Sequence, residues 1–299
     1  MTLTQFNRIV EIRTKVISMG TFLCGSTFAA VMTGSFSWIR FVLMGCAVLL
    51  VDMGTTGFNS YFDYLNGTDN RHLNLERDKV LVHEGVSPHL ALVISLGLFG
   101  AAALLGLVLA WMTSWTILVA GAASMGVGFF YTGGPRPISR TPFGELFAGG
   151  FLGTLLFSLS YYIQASTFSI RIFAASLPFW ILIGMILTVN NTCDLDADRQ
   201  AGRRTLSILA GLKGSILILK AELASAYIIS FALVILEIYP FWVLPFLILS
   251  LMLAFREWTV LETRGLTLAT KGASMGSISL IFTSFSLSLL LGLLLTLLF

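Results

Sequence analysis

The 299 residues are 56% hydrophobic and only 11% charged, with a mean hydropathy of +0.89, where a soluble domain carries about a quarter charged residues. That excludes an ordinary water-soluble globule, and a formal net charge of +3 dispersed along the chain excludes a nucleic-acid surface. The three cysteines, Cys24, Cys46 and Cys193, have no spacing that would pair them on a metal.

Met1 to Phe6 lacks the basic start of a cleaved signal peptide, and the charged stretch Arg8 to Lys15 follows. The apolar blocks then predict an all-α polytopic membrane protein with nine transmembrane helices. The first two cover roughly 16–34 and 36–58. A charged loop of roughly 59–89 follows and opens with "NSYFDYLNGTD". The third and fourth cover roughly 90–111 and 114–131 and lead into "FYTGGPRPISRTPFGE". The fifth and sixth cover roughly 143–163 and 172–190. A second charged loop of roughly 191–220 contains "NNTCDLDADRQAGRRT". The last three cover roughly 221–238, 240–255 and 275–298, with Tyr239-Pro240 as the turn between the first two of them. The chain reads as one integral membrane domain over 1–299, its two long loops ordered as caps with short helices.

This layout puts all 18 Lys and Arg except Arg40 and Arg171 on the side of the N-terminus. The positive-inside rule makes that side cytoplasmic and places Phe299 outside. Trp38, Trp111, Trp115, Trp180 and Trp242 fall toward the outer boundary, as an aromatic belt does. The acidic residues are inside too, apart from Glu237. Without a transit-like extension, a prokaryotic inner membrane is expected.

Two acidic groups stand at the inner ends of even-numbered helices: Asn59, Asp63 and Asp69, then Asn190, Asp194, Asp196 and Asp198. Both begin Asn-x-x-x-Asp, which puts Asn and Asp on one helix face. Asp198 extends the second face, and Asp196 points off it. Like charges at this spacing repel, and acids oppose the dipole at a helix C-terminus. A divalent cation reverses that balance; magnesium takes carboxylate oxygens, keeps waters and bridges to phosphates. The competing reading is ordinary solvated charge at helix ends, which does not explain the repeated pattern. Arg136, Arg77, Lys79, Arg203 and Arg204 stand near these groups and suit a diphosphate. Gly133-Gly134-Pro135 lets backbone approach closely. His72, His83 and His89 share no ligand spacing.

The motifs "NSYFDYLNGTD", "YTGGPRPI" and "DLDADRQAGRRT", with "RTK" at Arg13 to Lys15, resemble the UbiA-type intramembrane prenyltransferases over nearly the whole chain. The likeness is nearest to the 1,4-dihydroxy-2-naphthoate polyprenyltransferase branch of menaquinone biosynthesis. It implies helices around a central cavity, with the acidic motifs facing each other at its cytoplasmic mouth. It implies Mg²⁺ on Asn59, Asp63, Asp69, Asp194 and Asp198, with Asn190 on the same face, and a polyprenyl diphosphate bridging the ions. It implies an aromatic acceptor and no nucleic acid. Arg136 stands where the family has Lys, and Tyr131 matches the tyrosine that begins that motif. Asp63, Asp194, Tyr131 and Asp52 are the expected catalytic set, and Asp52 and Glu145 the candidates to take the acceptor's proton.

Two departures from the family pattern carry chemistry. Ser60 replaces an acid after the first Asn, and Asp52 stands seven residues before Asn59 where relatives have Gln. An intramembrane Asp is costly and usually functional; the alternative is a buried, hydrogen-bonded acid. Other acceptors, such as a hydroxybenzoate, homogentisate, a porphyrin or a lipid, stay open. A cation-coupled transporter is the reading from another class, although its acids belong at the midplane rather than at one face.

Overall fold

The computed structural model describes residues 1–69 and 79–299. Every regular element among them is helical. Among the described residues, eight helices are long and apolar enough to cross a membrane.

The chain opens with α1 (Leu3–Ile9) and a 3₁₀ turn (Ile12–Lys15), then enters α2 (Val16–Thr33). Next comes α3 (Trp38–Leu65), and the short α4 (Val80–His83) precedes α5 (Pro88–Met112). At 14 residues, α6 (Ile117–Phe130) is shorter than the other apolar helices. Then follow α7 (Gly144–Ala165), α8 (Ile170–Cys193) and the short α9 (Leu195–Gln200). The last three are α10 (Leu206–Ile235), α11 (Val243–Arg264) and α12 (Lys271–Leu298).

Several helices run past their apolar blocks. Hydropathy falls after Phe58, yet α3 continues to Leu65, because its backbone ladder needs no apolar side chains. Residues read as loop before Ala221 are already helical from Leu206, with a kink at Gly211 where φ is 67°. The non-helical backbone after α9 is therefore only a short link.

Small residues set the helix contacts, as expected where lipid offers no hydrophobic drive. A Cβ at Gly54 would lie 2.5 Å from the Phe99 ring, which seats α3 on α5. A Cβ at Gly25 would lie 2.5 Å from the Phe157 carbonyl, which seats α2 on α7. Residues Gly149–Leu155 of α7 form a π-helical turn. Gly149 and Gly153 in that turn let α7 lie against the backbone of Trp180. Trp180, expected in the outer belt, instead sits ten residues into α8, and its indole donates to the Leu146 carbonyl at 3.1 Å. The two glycines let Trp180 lie against α7, where its ring stays half-exposed.

The innermost helix is α8, with 67% of its most apolar window buried. Phe157, Phe282 and Phe285 pack around its Phe179, and Phe28 packs on Phe157. At the far end, Arg40 donates to the carbonyls of Ile163 (3.3 Å) and Met112 (2.9 Å). It thereby satisfies backbone acceptors at the C-terminal ends of α7 and α5.

Candidate active site

Both acidic motifs lie at one end of the bundle. In the first, continuous α3 carries Asn59 and Asp63 one turn apart. The helix stops at Asn66, and Gly67 turns back at φ 68°. The Asp69 amide then donates to the Asp63 carbonyl at 3.0 Å. In the second motif, the amide of Asp194 bonds the Asn190 carbonyl (3.1 Å) and that of Asp198 bonds Asp194 (2.8 Å). Helical spacing therefore runs on from α8 into α9, with Asn190 half-buried at its start. Asp196 points to solvent and pairs with Arg199 at 3.4 Å, as its off-face position predicts.

Arg203 brings the two motifs together. Its guanidinium meets Asp63 at 3.3 Å and Asp198 at 3.1 Å. Gly202, at φ 70°, turns the chain back after α9 so that Arg203 faces the acids. The Asp198 side chain is only 6% exposed, and its Oδ2 and the Arg203 Nε are buried without a partner. Burial pushes the Asp198 carboxyl up to about 6, against the pull of Arg203. Asp194 pairs with Lys271 at 2.7 Å, and Asp69 with Lys79 at 3.5 Å. Lys79 also reaches Glu11 at 3.2 Å.

The loop after α6 closes on the first motif. Thr132 donates to Asn59 Oδ1 at 2.8 Å. A Cβ at Gly133 would lie 2.7 Å from the Phe62 ring, so only glycine allows this approach. Burial raises the Tyr131 phenol well above its usual range, so it is a neutral donor; the charges of Glu145, Arg203 and Asp63 all act on it. Arg140 donates to Thr68 at 3.3 Å, and its carbonyl accepts from the Arg204 amide at 3.0 Å. Arg136 and Arg204 are exposed, and Arg77 lies outside the described residues.

Asp52 has both oxygens engaged: Lys15 at 2.7 Å and the Ser18 hydroxyl at 2.6 Å. Its surroundings are those of a paired, hydrogen-bonded acid. Ser60 donates to the Ile9 carbonyl at 3.1 Å, so an acid there would face a carbonyl oxygen. Glu145 is 5% exposed; Oε1 accepts from Asn191 at 2.8 Å, and Oε2 has no partner. Lys271 and Arg140 are site-end residues that motif reading left out. The signal for Arg140 was its place in the basic loop; Lys271 left none, being 77 residues from its partner. Among the described residues, no group of three or more His, Cys, Asp or Glu is gathered closely enough to hold an ion.

Comparison with known proteins follows the same lines. The chain is 36% identical over 197 residues to 1,4-dihydroxy-2-naphthoate octaprenyltransferase of Bacillus subtilis, covering 66% of this chain and 63% of that one. It is 26% identical over 223 residues to the Mycobacterium tuberculosis protein of the same name, covering 75% of each. The fold matches a UbiA homologue from Aeropyrum pernix K1 with a TM-score of 0.72 at 16% identity, over 95% of this chain and 98% of that one. It matches a UbiA homologue from Archaeoglobus fulgidus, solved with DMAPP and Mg²⁺, with a TM-score of 0.67 at 14% identity, over 96% and 99%. The UbiA prenyltransferase family profile matches residues 18–271, and the chain belongs to that family.

Proposed function

We propose that this protein transfers a polyprenyl group from a polyprenyl diphosphate to 1,4-dihydroxy-2-naphthoate in menaquinone biosynthesis, with Mg²⁺ as cofactor. The observation that carries the reading is Arg203 between Asp63 and Asp198, one acid from each motif. The names of the bacterial relatives support the acceptor. Family membership favours transfer over transport.

The donor set suits magnesium. Asp63, Asp69, Asp194 and Asp198 offer hard oxygens, with Asn59 and Asn190 beside them, and Asp198 Oδ2 is buried and unpartnered. A few aspartates per ion are enough, because magnesium keeps waters and takes substrate phosphate oxygens. When bound, it neutralises the charge that grows on the leaving diphosphate. Arg203, Lys79 and the exposed Arg136 and Arg204 add cationic groups for the same anion, and Arg77, outside the described residues, is proposed with them. Tyr131, a neutral phenol beside Arg203, donates to a leaving oxygen. The prenyl tail lies among the apolar helices, away from water that would quench an allylic cation. Glu145 takes the acceptor's proton in this reading, supported by its buried, unpartnered Oε2, whereas Asp52 holds Lys15. All nine apolar helices then traverse a prokaryotic inner membrane, N-terminus inside and C-terminus outside, with 59–69 and 191–205, described stretches of the two charged segments, at the mouth.

Protein in detergent, incubated with Mg²⁺, a radiolabelled polyprenyl diphosphate and 1,4-dihydroxy-2-naphthoate, is expected to release diphosphate, lose the acceptor's carboxylate as CO₂ and form a demethylmenaquinol-like lipid, which air oxidises to the quinone. Diphosphate release without that lipid moves the acceptor to another aromatic ring. Neither binding nor release in folded protein overturns the reading.

A further inference from the structure

We propose that Lys271 positions the substrate diphosphate, exchanging its ion pair with Asp194 for the diphosphate when magnesium binds. This rests on the metal-dependent transfer proposed above. Lys271 lies beyond all three motifs, at the first residue of α12. Its ammonium meets Asp194 Oδ2 at 2.7 Å, with the two side chains 15% and 14% exposed. Its charge also acts on Asp198, so it serves both aspartates of the second motif. Arg203 does the same from the other side, joining Asp198 to Asp63.

An ion pair kept for stability alone needs one acid. Here the acid belongs to a pair of aspartates one turn apart, with Asp198 Oδ2 buried and unpartnered beside it. A divalent cation on those carboxylates competes with the ammonium for the same oxygens. Lys271 is then a largely dehydrated charge whose counter-ion is shared, which is costly until another anion arrives. A diphosphate on the same ions is that anion, and its charge density suits an ammonium. Metal and diphosphate binding are therefore coupled through Lys271, each raising affinity for the other.

The test uses Mn²⁺ as the probe for the metal and inorganic diphosphate as the probe for the substrate anion, on purified chain in detergent. Electron paramagnetic resonance follows free Mn²⁺, and calorimetry follows diphosphate in its presence. For Lys271→Met, Mn²⁺ affinity is expected to rise about tenfold while diphosphate affinity falls about tenfold, and Lys271→Arg restores both. Lys271→Gln carries the same test if the methionine variant does not fold. Unchanged affinities, or both falling with the melting temperature, overturn the proposal and leave a structural ion pair. Wild-type protein that binds no Mn²⁺ overturns the metal reading and this proposal together.

Discussion

Asp63 and Asp198 are 135 residues apart in sequence and share one guanidinium. Their carboxylates are close to isosteric with the amide of Asn, so charge can be removed with little loss of shape. Asp63→Asn and Asp194→Asn are each expected to lower kcat/KM by at least about 100-fold, the scale of a lost charge-stabilising group. Circular dichroism and the melting temperature should stay near wild type. Near-normal turnover in both variants would sink the metal assignment. Asp52 makes a contrasting case. Lys15→Met leaves its charge buried without a counter-ion and should cost about 3–5 kcal/mol. Adding Asp52→Asn to the same chain should recover much of the loss, as thermal melts in detergent would read. No recovery in the double variant would mean that Lys15 matters for something other than its acid.

At the scale of elements, the contacts depend on where a side chain is missing. A Cβ at Gly153 would lie 2.6 Å from the Trp180 amide nitrogen, and backbone cannot swing aside. Gly153→Ala is expected to destabilise by about 1–3 kcal/mol through overpacking. Gly100→Ala on α5 meets nothing within 4 Å and should be neutral or slightly stabilising. Equal melting temperatures for the two variants would contradict the close approach of α7 and α8. The helices themselves were mostly legible, because an apolar block of bilayer length has few other uses. Their ends were less so. Lys213 and Lys220 break the hydropathy of α10 without breaking its backbone bonds, so only the block after Ala221 reads as a span.

For the whole molecule, the basic residues predict which end faces the cytoplasm. In a chain whose three native cysteines are alanine, Ser35→Cys should react with a membrane-impermeant maleimide on intact cells. Lys213→Cys should react only after lysis. The reverse pattern would overturn the orientation. Sequence alone determined the helical class, the membrane setting and both acidic motifs. Each of those is local: apolar length, charge side and a four-residue spacing are properties of one segment. Tertiary structure decided which cation meets which acid. Lys271 lies 77 residues from Asp194, and Lys15 lies 37 from Asp52. It also set Trp180 against the glycines of α7 and aimed Ser60 at Ile9. Partners that far apart are set by helix packing, and packing depends on shape complementarity that no single segment carries.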